Sequence, residues 1–126
     1  MKYIRTKTDE VSIDEHGIVH KKVIEGAHID YDAMLETEQA IAKISGQEKY
    51  LVLVDARVQH NVTPEVFEIL KNPQYINRIA TAVLTDKLGT RILMDYVVNN
   101  KMMDAPMKIF YDQQVAIEWL LQFKKN

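Results

Sequence analysis

The sequence predicts an α/β domain on a mixed sheet, with an N-terminal antiparallel hairpin, parallel interior strands and helices packed on the sheet. Three observations predict it. The run Tyr50-Leu51-Val52-Leu53-Val54 offers no polar residue for a wet face, so as a strand it must be covered on both sides, as in the interior of a largely parallel sheet. Ile79-Ala80-Thr81-Ala82-Val83-Leu84 and Met107 to Tyr111 supply two more short apolar runs, each reached through a helical stretch. After the hairpin the order is therefore α-β-α-β-α-β-α, and right-handed crossovers turn that order into helices on the faces of one sheet.

The elements follow in order. Val11 and Ile13 alternate with polar neighbours, Asp14-Glu15-His16-Gly17 is a turn, and Ile18-Val19 and Val23-Ile24 resume the pattern, which makes an antiparallel hairpin. Ser12, His20, Lys21 and Lys22 interleave on its arms, so one face is wet or the hairpin lies toward a sheet edge. Asp30 is an N-cap for a helix in which Met34, Glu38, Ile41 and Ile44 share a face, and Gly46 ends it. Gln47-Glu48-Lys49 is a short link into the central strand. Thr63-Pro64-Glu65 reads as a helix start, with a hydroxyl cap, proline in the first turn and an acid beside it. Val66, Phe67 and Leu70 form its buried face, Lys71-Asn72-Pro73 stops it, and a looser piece through Tyr75 and Ile76 follows. The small residues of the strand from Ile79 to Leu84 predict a closely packed helix above it. Thr85 or Asp86 caps a third helix, with Leu88, Ile92 and Tyr96 aligned and Leu93 and Val97 widening the stripe. Asp112 caps the last helix, where Ala116, Trp119, Leu120 and Phe123 fall on one side and Lys124 and Lys125 suit the C-terminal end.

Composition narrows the function classes. The 126 residues predict one domain, 1–126, and 47% apolar with 27% charged residues is ordinary globular usage. A net charge of -2 with interspersed signs leaves no broad positive field, which disfavours nucleic acid. Without cysteine there is no disulfide, thiolate metal site or catalytic thiol. The N-terminus lacks the apolar stretch of a signal peptide, and no apolar run nears the roughly 20 residues that span a bilayer. The expectation is a cytoplasmic chain without membrane insertion. His16, His20 and His28 have no carboxylates at ligand spacing, and no phosphate loop, dinucleotide turn or nucleophile elbow is present, so neither metal nor cofactor is expected.

YLVLVDAR…VTPEVFEIL, IATAVLTDKLGTRILMDYVV and the closing MKIFYDQQVAIEWL together resemble STAS domains, the SpoIIAA-like group related to anti-sigma-factor antagonists, over most of the chain. The nearest likeness is to small stand-alone bacterial members. The resemblance implies a SpoIIAA-like mixed sheet and a regulatory, non-catalytic role. In the antagonists a strand ending in Asp is followed by a loop and a serine at a helix N-terminus, phosphorylated by a partner kinase. Asp55 resembles that Asp, and Thr63 is the position nearest the serine and the candidate phosphate acceptor, with Asn61-Val62 before it and Pro64 after it in place of the Asp-Ser-Ser-Gly type. Sites of open α/β sheets gather at the carboxyl ends of strands, which makes Asp55, Arg57, His60, Asn61, Thr63 and Glu65 the candidate surface for a protein partner.

Two other readings stand beside it. CRAL-TRIO lipid-carrying domains use the same general fold, and Met94, Met102 and Met103 are candidate contacts for an apolar or lipid-like ligand, or for a second copy of the chain. Homodimerisation would also use the exposed hairpin edge. A small enzyme with Asp55 and His60 as an acid-base pair and Arg57 as an anion clamp is the third reading and the least favoured.

Overall fold

The computed structural model describes residues 2–46, 49–72, 77–103 and 105–124. In chain order the elements are β1 (Tyr3–Arg5), β2 (Asp9–Ile13), β3 (Ile18–Val23), β4 (His28–Ile29), α1 (Tyr31–Ser45), β5 (Tyr50–Asp55) and β6 (Asn61–Val62). A 3-10 turn (Pro64–Val66) runs into α2 (Phe67–Leu70), followed by β7 (Arg78–Leu84), α3 (Leu88–Asn99), β8 (Met107–Phe110) and α4 (Gln113–Leu121).

Six strands form one sheet in the order β1-β2-β3-β5-β7-β8. The first three are antiparallel, and β3, β5, β7 and β8 are mutually parallel. The hairpin is closed by Asp14, whose carboxylate accepts from the backbone N–H of His16 at 2.8 Å and of Ile18 at 3.0 Å, while Gly17 takes a φ of 81°. The predicted mixed sheet is therefore present. Two features were absent from the sequence reading: the edge strand β1 and a separate parallel pair, β4 with β6. Each runs only two or three residues, too few for an alternation to register.

The interior strands are covered on both sides. Leu51 and Leu53 of β5 join Ala80, Ala82 and Leu84 of β7 under Ala116 and Leu120 of α4. The two alanines admit α4 closely, as the small residues predicted. Phe110, Trp119 and Phe123 continue that layer, with ring centroids 5.5 and 4.8 Å apart. On the opposite face, Tyr50 and Val52 pack with Val11, Val19, Ile41 and Ile44 beneath α1. That helix has the predicted ends: Asp30 accepts from Ala33 N–H at 2.9 Å, and Gly46 closes it at a φ of 76°. Asp112 likewise caps α4, accepting from Val115 N–H at 3.2 Å. No helix among the described residues is long and apolar enough to cross a membrane.

Three expectations are corrected. Thr63 opens a 3-10 turn and a four-residue helix, and its hydroxyl makes no cap; it donates to Glu65 at 3.0 Å. α3 begins after Lys87, and Thr85 accepts from Lys87 N–H at 3.0 Å without capping the helix. The face of α3 is also turned: Leu88, Ile92 and Tyr96 are exposed, while Thr90, Leu93, Met94 and Val97 face inward. Gln47, Glu48, Pro73, the segment with Tyr75 and Ile76, and Lys125 lie outside the described residues.

Candidate functional site

The central strand delivers Asp55 to its carboxyl end, opposite Lys22 of β3. Two residues on, Arg57 turns back and grips the same carboxylate: Nε donates to Oδ1 at 3.0 Å, Nη2 to Oδ2 at 2.8 Å, and the backbone N–H to Oδ1 at 3.2 Å. Burial works against the charge of Asp55, but the bonds from Arg57 and the nearby Lys22 outweigh it and hold the carboxyl below its ordinary range. The bond to Asp55 in turn raises Arg57. Arg57 is thus paired with Asp55.

His60, half-buried, points elsewhere. Its Nδ1 lies 2.7 Å from the Val58 carbonyl, which can only accept, so Nδ1 carries a hydrogen and is the donor. Among the described residues no hydrogen bond or ion pair joins His60 to Asp55. Asn61 is held by the short parallel pair: its Oδ1 accepts from Nδ1 of His28, its register partner, at 2.5 Å. Glu65 ties the turn to α1, accepting from Thr63 and, at 3.4 Å, from Tyr31 N–H. A phosphate on Thr63 would stand against that carboxylate.

The six candidates therefore divide between two concavities and one tie. Asp55 and Arg57 border a polar hollow on the open face of the hairpin, with Glu10, Ser12, His20 and Lys22. His20 is fixed there by Asp14, 2.8 Å away. Burial would raise Asp14, yet the bonds from His20 and from the Ile18 and His16 backbones lower it. His60 and Asn61 border a different groove of about 400 Å³, shared with Lys87, Leu88, Thr90 and Leu93 at the start of α3. Thr63 and Glu65 hold each other beside α1. Among the described residues no group of three or more His, Asp or Glu is placed to hold a metal ion.

A third region went unseen in the sequence. Glu38 of α1 is buried and takes Arg78 of β7 at 2.7 Å and Lys21 of β3 at 3.6 Å, both on Oε2. Arg78 also donates to Thr81 at 3.3 Å. Glu38 Oε1 and Arg78 Nε, both buried, make no hydrogen bond of good geometry among the described residues, and the Tyr50 phenol lies beside Arg78 and the Asn77 backbone. Burial and the Glu38 charge push the Tyr50 phenol up. Beside this cluster lies a cavity of about 90 Å³, floored by Lys21, Arg78 and Thr81 and otherwise mainly apolar. Met94 and Met103 line it; Met102 does not. The signal was present in the helical pattern, since Glu38 sat on the apolar stripe of α1 and a buried acid requires cations.

The order of strands and the antiparallel hairpin joined to parallel strands are those of a SpoIIAA-like fold. The solved structure of an uncharacterized protein of the DUF3478 family with a SpoIIAA-like fold, from Shewanella loihica PV-4, is similar with a TM-score of 0.64 and 11% identity. The match covers 95% of this chain and 98% of that one. The chain belongs to the family described as domain of unknown function DUF7793, whose sequence profile matches residues 11–124. Among curated proteins there is no match.

Proposed function

We propose that the chain is a non-catalytic STAS-like binding domain that recognises a protein partner with the loop after β5 and the adjoining face of α3. One observation carries the reading: Leu88, Ile92 and Tyr96, at 72%, 60% and 50% exposure, form an apolar stripe on α3, and Leu88 lines the groove bordered by His60 and Asn61. An apolar stripe beside such polar groups has the composition of an interface core with a polar rim. The engagement of Asp55 by Arg57, with no bond between Asp55 and His60 among the described residues, supports binding over acid-base chemistry. The cysteine-free sequence is compatible with a regulator acting in the cytoplasm.

The test is gentle isolation of the tagged chain from its own cells, followed by native mass spectrometry. A co-purifying protein is expected, lost in a Leu88→Glu/Ile92→Glu variant and weakened by Arg57→Glu on the far margin of the loop. Retention of the partner by both variants would sink the reading. A doubled mass that Leu88→Glu/Ile92→Glu abolishes would instead identify the occupant of the stripe as a second copy of the chain.

A further inference from the structure

The cavity floored by Lys21 and Arg78 combines two properties that are seldom found together. Most of its wall is apolar, from Met34, Phe67, Met94, Met103 and Met107 among others, yet both charged side chains in its lining are cations. No Asp or Glu among the described residues lines it. Burial is deep: the side chains of Arg78 and Lys21 are 3% and 7% exposed. Glu38, behind them, is the acid paired with both, and a single oxygen serves the two. Asp9, the other buried acid under α1, takes hydrogens from Thr8 and Thr37 and forms no ion pair with either cation. Arg78 Nε makes no hydrogen bond of good geometry, and the Tyr50 phenol lies close beside the guanidinium. Two buried cations that share one oxygen of a single acid at the wall of an apolar cavity are completed by an anion.

We propose that this cavity is a binding site for a short-chain carboxylate, its head on Lys21 and Arg78 and its tail among the methionines. The planar guanidinium with an ammonium beside it suits a carboxylate, and the apolar wall suits a tail more than a hydrated phosphate. Size sets the chain length. About 90 Å³ is smaller than the roughly 150 Å³ of an apolar cavity that holds a benzene, and it accommodates a few carbons and not a long acyl chain. Unbranched methionine side chains can adjust to the tail. The cavity adjoins the groove of the partner surface, sharing His60, Val62, Thr90 and Leu93 with it, but the proposal rests on Lys21 and Arg78 and does not depend on partner binding.

The full chain, labelled at its methionine methyls, is titrated with sodium butyrate and separately with butyramide, the neutral isostere. Saturable shifts of the Met94, Met103 and Met107 methyls are expected with butyrate and not with butyramide. Lys21→Met leaves the Glu38–Arg78 pair one-to-one and is expected to fold and to bind butyrate about tenfold or more weakly. Should that variant fail to fold, Met103→Trp, which fills the apolar end, is expected to remove the Met94 and Met107 shifts. Unmoved methyls, equal shifts with butyramide, or undiminished binding by the folded variant would overturn the proposal.

Discussion

At the scale of single residues, Asp55 is a clamp for the loop that follows it. Its two oxygens are bound by Arg57, so the strand-end acid fixes the direction in which the chain leaves the sheet. The predicted consequence is a pH-dependent effect of Asp55→Asn. The folded chain holds this carboxyl below its ordinary value of 3.8 through Arg57. Its contribution is therefore complete above that value and disappears as the pH falls through the lower, folded one. Arg57 is well exposed, so the pair is worth only about 1 kcal/mol near neutral pH. Urea unfolding is expected to separate the two proteins near pH 7 by about that amount and to bring them together near pH 2. A gap unchanged at acid pH would mean that Asp55 acts through packing and not through its charge. None of this was legible in the spacing: the acid and the arginine were both visible, but their mutual grip depends on how the backbone turns at Ala56.

At the scale of elements, the helix ends were readable where they are made locally. Asp30, Gly46 and Asp112 act within a few residues of themselves, and the structure uses all three as the pattern implied. The facing of α3 was not readable, because it carries two interleaved apolar stripes. Which one turns inward is decided by the cluster that Met94 packs against, which includes Val23, Ile29 and Met34, far away in sequence. The difference is measurable in stability. Ile92→Lys, on the exposed stripe, is expected to change it by no more than about 0.5 kcal/mol. Val97→Ala, at a position 1% exposed, is expected to cost about 2 kcal/mol. Comparable losses in thermal or urea unfolding would show that the outer stripe is packed after all. The same stripe that fooled the periodicity is the one offered to a partner, and a face that serves binding need not contribute to the core.

At the scale of the molecule, the sheet was legible because the runs at Tyr50, Ile79 and Met107 are apolar on both faces and only an interior strand accepts them. The buried cluster was not, since Lys21, Glu38 and Arg78 come from three elements and only the fold assembles them. That assembly divides the chain into a firm half and a looser one. β5 and β7 are hydrogen-bonded on both sides; β5 lies between α1 and α4, and β7 has α4 on one face and Thr81 and Val83 at the cavity on the other. α3 buries one side chain completely, Val97, and walls the cavity with half-buried Leu93 and Met94. Native-state hydrogen exchange is therefore expected to protect Val52, Leu53, Ala82 and Val83 up to global unfolding. Amides of α3 are expected to exchange at least tenfold faster, an opening about 1.4 kcal/mol easier. Such an opening would admit a small carboxylate to Lys21 and Arg78 without disturbing the sheet. If α3 proved as protected as β5, access would have to come through the α2 side of the cavity, at Phe67 and Leu70.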